Sequence, residues 1–249
     1  HSHIRFGTFQ RHAYEDSPER LRTLVDHCVA HYAPALIPLD GAARVTGFLA
    51  HVRDQSARLA ASWMAAGFVH GVLNTDNMVV TGESFDYGPW RFLPQSEPAF
   101  VAAYFDQTGL YAFGRQPQAV GWNLAQLAAS LLPIGDETAL LAVLEGYGAV
   151  YQQALRAAML ARLGLEPAAT LDQDLTDLAA LFAWMTESGA GWSQTFHDWF
   201  CGPASANRAR HSPQAALYAT PGFAAIRAGI LDREPVRPDR LTHAVLQRP

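Results

Sequence analysis

Apolar residues recur at helical spacing along most of this chain, and the interruptions to that pattern organise it. Ser17-Pro18 opens the first clear periodic stretch, with Ser in the capping position and Pro at the first helical one. Leu21, Leu24, Val25, Cys28 and Val29 follow on one face. Pro34, Pro38 and Gly41 mark a loop. A long helix is then predicted from Ala42 to Ala66, its buried stripe running from Val45, Phe48, Leu49 and Val52 to Leu59, Trp63 and Met64, with Gly67 as its cap. Ahead of Ser17 the chain has closely spaced apolar positions, Ile4, Phe6 and Phe9, and turns polar through Glu15-Asp16, so the residues before His70 read mostly as two helices. The helical period returns after Gln116-Pro117. Val120, Leu124, Leu127, Ala128 and Leu131 form one stripe ending near Pro133. Leu140, Leu141, Leu144, Tyr147, Tyr151, Leu155 and Met159 form another ending at Gly164, and Leu171 to Met185 a third. Trp192, Phe196, Trp199 and Phe200 are spaced as a further buried face, and a short helix is expected from Pro221 to Leu231.

The pattern breaks between these two helical regions. Phe68-Val69 leads into a polar loop, His70 to Asn77; Met78-Val79-Val80 reads as a strand, Thr81-Gly82-Glu83 as a tight turn and Ser84-Phe85 as a second strand ending at Asp86. Such a hairpin brings Asn77 and Asp86 to the same end of its two strands. An amide carbonyl and a carboxylate are hard oxygen ligands, suited to Mg²⁺ or Mn²⁺ against phosphate oxygens, whereas zinc would call for Cys or His. The fold class expected is mainly α with a short β-hairpin. No internal repeat is evident, and residues 1–249 read as one domain.

Composition narrows the function. At 49% hydrophobic and 16% charged the chain reads as a soluble globular protein, and a net charge of −5 argues against a nucleic-acid partner, whose phosphates call for a basic face. No apolar run is long enough to span a bilayer and no signal peptide is visible, so no membrane association is expected. Two cysteines, Cys28 and Cys201, cannot build a disulfide framework, which points to a reducing, cytoplasmic setting. Cys28 falls on a core stripe. Cys201 lies in a Gly- and Pro-flanked loop, where a reactive role is open. All 18 basic residues are arginine. His197, His211 and His243 have no metal-ligand spacing and stay unassigned.

Protein kinases carry a loop H-R-D-x-x-x-x-N, with an Asp base two residues after the His and a metal-binding Asn seven after it, and a later D-F-G holds the second metal ligand. Counting from His70, the seventh position is Asn77 and Asp86-Tyr87-Gly88 stands where D-F-G would; the second position is Val72, which cannot take a proton. The combination H-G-V-L-N-T-D-N and D-Y-G-P resembles the selenoprotein O family (SelO, also called YdiU), kinase-fold proteins long regarded as pseudokinases. Ser2-His3-Ile4-Arg5-Phe6-Gly7-Thr8-Phe9, Tyr111-Ala112-Phe113-Gly114-Arg115-Gln116-Pro117 and Trp122-Asn123-Leu124 add to the resemblance, which runs from residue 2 to about 130 and is faint beyond. Family members often carry Cys after D-Y-G-P, where Trp90 stands here, and their C-terminal selenocysteine or cysteine has no counterpart in Gln247-Arg248-Pro249.

The resemblance implies a protein-kinase-like C-terminal lobe: a helical lead-in over 1–69, the catalytic loop, metal-binding hairpin and start of an activation segment over 70–95, and a helical bundle with a divergent tail over 96–249. It implies that the strand lysine and Gly-rich loop that hold nucleotide belong to an N-terminal lobe outside this chain, which alone is expected to be inactive. The implied activity is protein AMPylation, AMP passing from ATP to Ser, Thr or Tyr hydroxyls of proteins with Mg²⁺ or Mn²⁺. Asn77 and Asp86 would hold the metal and with it the nucleotide, Arg5 the far phosphates, and Asp76 would serve as the displaced base. Each role has a plainer alternative: Arg5 as a surface or hinge arginine, Asp76 as a loop-stabilising side chain, His70 as a scaffold. For the whole protein the alternative is a silent pseudokinase acting as a nucleotide-binding or interaction scaffold, which Val72 and the lack of lysine favour.

Overall fold

The computed structural model describes residues 1–236, which form eleven α-helices and one two-stranded antiparallel sheet and divide into two compact units. The first unit comprises His1–Ala61, His70–Trp90 and Val101–Tyr151. Three helices precede His70 where the apolar pattern predicts two: α1 (Phe6–Tyr14), α2 (Pro18–Tyr32) and α3 (Gly41–Ala66). The additional one is α1, which buries only Phe6 and Phe9 and so carries less than two turns of apolar signal. Phe9 packs on Phe48 of α3 with ring centroids 5.5 Å apart. Helix α2 begins at Pro18 as expected. The Ser17 hydroxyl makes no capping hydrogen bond, so the fixed φ of Pro18 is the start signal that operates.

Helix α4 (Gln116–Leu131) buries Val120, Leu124, Leu127 and Leu131 completely. At roughly 1.5–3 kcal/mol for each large aliphatic side chain removed from water, this stripe is a principal source of the unit's cohesion. The single helix expected from Leu140 to Met159 is two, α5 (Glu137–Glu145) and α6 (Tyr147–Leu163), separated at Gly146. The cause lies on α3. Arg53 Nη1 donates to the Val143 carbonyl at 3.2 Å, taking the acceptor that a continuous helix would offer to Tyr147.

The second unit comprises Ser62–Val69, Arg91–Phe100 and the chain from Gln152 onward. Its sheet pairs β1 (Phe68–Val69) with β2 (Arg91–Phe92), Phe68 opposite Phe92 and Val69 opposite Arg91. Strands of two residues have no readable alternation, which is why the pattern does not predict this pairing. Gly67 ends α3 in the left-handed region at φ 67, its carbonyl accepting from Leu93 N at 2.8 Å. A Cβ at Gly67 would meet the Trp192 ring at 2.8 Å, so both conformation and space require glycine. Trp192 is fully buried between Phe182 and Phe196 and opens α8 (Trp192–Trp199), which follows α7 (Leu171–Ser188). Two short helices not anticipated, α9 (Ala206–Arg210) and α10 (Ala215–Tyr218), precede α11 (Pro221–Leu231), whose bounds are those predicted.

Buried charge in this unit is paired. Asp174 is fully buried and accepts from Arg156 Nε at 2.6 Å, from Ala168 N and from Arg233. Burial pushes its carboxyl up, but the Arg233 and Arg156 guanidiniums outweigh that and hold it below the usual carboxylate range. His197 is buried 3.4 Å from Asp198, and His211 Nδ1 lies 2.8 Å from the Asn207 carbonyl. Cys201 is completely buried, which denies it the access a reactive thiol needs. His243 and the chain end lie outside the described residues. Among the described residues no helix is long and apolar enough to cross a membrane.

Candidate active site

The loop from His70 is fixed at each step by a named partner. His70 N donates to Gln116 Oε1 at 2.9 Å, at the start of α4. Val72 N donates to His70 Nδ1 at 3.3 Å, so the ring proton sits on Nε2, which faces the Phe85 carbonyl at 3.0 Å and Ser84 Oγ at 2.9 Å. Burial pushes the His70 imidazole down in pKa, more than the Phe85 carbonyl and the Asp86 charge raise it, and the neutral ring bridges the loop to the residue before Asp86. Gly71 follows at φ 89, where a Cβ would also strike Pro89. The Leu73 carbonyl accepts from Asn123 Nδ2 of α4 at 2.8 Å.

Asn74 turns the chain: its Oδ1 accepts from Asp76 N at 3.0 Å, a short side-chain turn that leaves the Asp76 carboxylate unused. Among the described residues no hydrogen bond or ion pair engages that carboxylate, and the residue is exposed. The loop-stabilising role considered for Asp76 therefore belongs to Asn74.

The hairpin is present as isolated bridges, without full strands: Met78 opposes Ser84, Val79 N donates to the Glu83 carbonyl at 3.1 Å, and Phe85 N to the Asn77 carbonyl at 3.2 Å. A third segment joins it. Val80 N donates to the Ile4 carbonyl at 3.1 Å, Phe6 N to the Met78 carbonyl at 3.0 Å and Gly7 N to the Thr75 carbonyl at 3.2 Å, with Arg5 bridged to Val79. Glu83 accepts from Ser2 N at 3.2 Å and Thr81 Oγ1 at 2.8 Å, and also meets His1. Arg5, Asp76, Asn77 and Asp86 are thus brought together by backbone pairing.

Asn77 is buried; its Nδ2 lies 3.4 Å from the Phe85 carbonyl, and no described residue donates to its Oδ1. Asp86 takes the left-handed conformation at φ 58, with Gly88 N donating to its carbonyl at 2.7 Å. The Arg5 guanidinium lies 4.9 Å from the Phe85 ring centroid and, at 3.7 Å, makes a long, solvent-accessible pair with Asp86. Such a pair is weak enough for either partner to be recruited by a ligand. An open amide oxygen and an exposed carboxylate from adjoining backbone fit a hard divalent cation that takes its other ligands from water and phosphate. Among the described residues no group of three His, Cys, Asp or Glu side chains forms a closed centre.

The sequence assigns site roles to Arg5, Asp76, Asn77 and Asp86, and none to Gln116, Asn123, Asn74, Ser84 or Gly7. A signal existed for two of them. Gln116 and Asn123 are fully buried polar residues among the apolar stripe of α4, where each needs a partner.

Comparison with known proteins gives the class first. A relative from Synechocystis sp. is 47% identical over 152 residues, covering 60% of this chain and 32% of its own length, and is named a protein nucleotidyltransferase YdiU. Relatives of the same name from Myxococcus xanthus and Cereibacter sphaeroides are 40% and 42% identical, each covering 78% of this chain and 39% and 41% of their own lengths. The family model described as protein adenylyltransferase SelO matches residues 1–214. The chain belongs to the SelO family, and it spans about two fifths or less of the length of these relatives. The match reaches well past residue 130, where the motif resemblance fades.

Proposed function

We propose that the whole protein is a kinase-like adenylyltransferase that moves AMP from ATP to Ser, Thr or Tyr hydroxyls of proteins. The observation that carries this reading is the unengaged Asp76 carboxylate beside Asn77, with Asp86 and Arg5 bound into the same backbone arrangement. Asn77 Oδ1 and the Asp86 carboxylate would hold Mg²⁺ or Mn²⁺, which when bound neutralises charge on phosphate oxygens. Arg5 leaves its weak pair with Asp86 and grips the β- and γ-phosphates, its fork matching their oxygens. The acceptor hydroxyl oxygen bonds to the α-phosphorus while the bond from that phosphorus to the bridging oxygen breaks, releasing pyrophosphate. Asp76 orients the hydroxyl and accepts its proton late, as suits a weak base, then returns it to water. His70 is a scaffold in this scheme, neutral and internally bonded.

The reaction is assigned to the whole protein, since these 249 residues cover at most about two fifths of the relatives cited and hold no lysine for nucleotide phosphates. The test is intact mass spectrometry of the whole protein with ATP and Mg²⁺ or Mn²⁺, beside Asp86→Ala and beside residues 1–249 alone. A metal-dependent gain of one AMP on the protein or on added cell extract, absent from both controls, is expected. A gain of phosphate would place the γ-phosphate at the acceptor. No adduct would favour the scaffold reading that Val72 suggests.

A further inference from the structure

The first turn of α1 contains a glycine that its backbone does not require. Gly7 lies within the helix and outside the set of positive-φ glycines, so any residue could adopt its conformation, and alanine would favour the helix more. What glycine provides is space. A Cβ at Gly7 would overlap Asp76 Oδ1 and lie 3.1 Å from Asp76 Cγ, and the three atoms nearest to it all belong to Asp76. Neither backbone has room to withdraw, because Gly7 N is bonded to the Thr75 carbonyl at 3.2 Å and Asp76 N to Asn74 Oδ1 at 3.0 Å. The carboxylate itself would have to turn away.

We propose that Gly7 is the positioning residue for Asp76: its missing side chain lets the carboxylate rest against the first turn of α1, at the helix end that favours negative charge. The positioning part of this inference rests on the catalytic reading of Asp76 given above. The steric contact stands without it. Glycine at this place weakens the helix and leaves room for the carboxylate to lie against it, with Asp76 still exposed towards an incoming hydroxyl.

The experiment is a four-variant cycle in the whole protein: parent, Gly7→Ala, Asp76→Ala and the double variant. Gly7→Ala is expected to leave the melting temperature nearly unchanged in the parent, where turning the Asp76 carboxylate offsets the gain in helix propensity, and to raise it when Asp76 is alanine, because only helix propensity then remains. If Gly7→Ala alone does not fold, recovery of a folded double variant supports the same contact. A shift of the same sign and size in both backgrounds overturns the inference. In the activity arm, Gly7→Ala is expected to lower kcat for AMP transfer about tenfold or more while KM for ATP and Mn²⁺ affinity stay within about twofold, the split that misplacement of a reacting group produces. Unchanged kcat overturns the positioning role. A parent protein that transfers no AMP defeats the functional reading of Asp76, and the melting cycle then decides the Gly7 contact by itself.

Discussion

Replacing Asn123 with leucine should change the stability of the chain little and loosen the loop it supports. Asn123 is fully buried on α4; its Nδ2 donates to the Leu73 carbonyl at 2.8 Å and to the Ala119 carbonyl at 2.9 Å, and its Oδ1 is buried without a partner. Ala119 lies one helical turn back and already serves the backbone, so losing that bond costs little. Stranding the Leu73 carbonyl costs about 1–3 kcal/mol, the usual penalty for a buried unpaired acceptor. Removing the orphaned Oδ1 returns a similar amount, about 1–3 kcal/mol, and leucine fills a similar volume. The two effects offset, leaving a net change within about 2 kcal/mol, or roughly 4–8 °C in melting temperature for a chain of this size. The local effect does not offset. Thermal melting paired with hydrogen exchange over residues 70–80 is the assay, and faster exchange there at near-parental melting temperature is expected. A fall of more than about 10 °C, or unaltered exchange in the loop, would refute the reasoning.

Three further outcomes follow from paired and buried groups. Burial lowers the pKa of both His51 and His70, so the unfolded chain takes up protons that the folded one refuses below the ordinary value of 6.5. Stability should therefore fall as pH drops through that region, and His51→Gln should reduce the slope of melting temperature against pH; an unchanged slope would contradict this. Asp174→Asn, which breaks a buried carboxylate's pairing with Arg156 and Arg233, should cost about 3–5 kcal/mol by denaturant titration, whereas Asp177→Asn on the exposed partner of Arg233 should cost about 1 kcal/mol or less. Equal losses would show that burial is not what matters. Burial pushes the Cys28 thiol up to about 12, so iodoacetamide at neutral pH should leave it unlabelled until denaturant is added, and labelling of the folded chain would count against its buried placement.

The parts of this fold that were legible share a cause. Helices α2, α3, α4 and α7 each hold an apolar stripe for fifteen residues or more, long enough for period to outweigh noise, and Gly67 and Gly164 stop helices in left-handed conformation where the pattern ends. The loop and hairpin from His70 to Asp86 could be read because their chemistry is written in local spacing. What could not be read depends on partners distant in sequence. The break at Gly146 is set by Arg53, the course of residues 4–6 by Met78 and Val80, and the shape of the loop by Gln116 and Asn123. Gly7 has no assignable role in the sequence for the same reason, since the atom that requires it belongs to Asp76.

The pairing of the first few residues with the hairpin has a consequence for the order in which the site assembles and comes apart. Ser2 and Glu83 stand 81 positions apart, and closing a flexible chain of that length costs about 4 kcal/mol before any contact repays it. The repayment is the backbone bonds to Met78 and Val80 together with the burial of Ser2 and Phe6, so this strap docks only after the hairpin has formed. A protease that nicks the chain near α1 would release Arg5 while Asn77 and Asp86 stay in place. On the roles proposed for these residues, one cut would thereby uncouple the hold on phosphate from the hold on the cation.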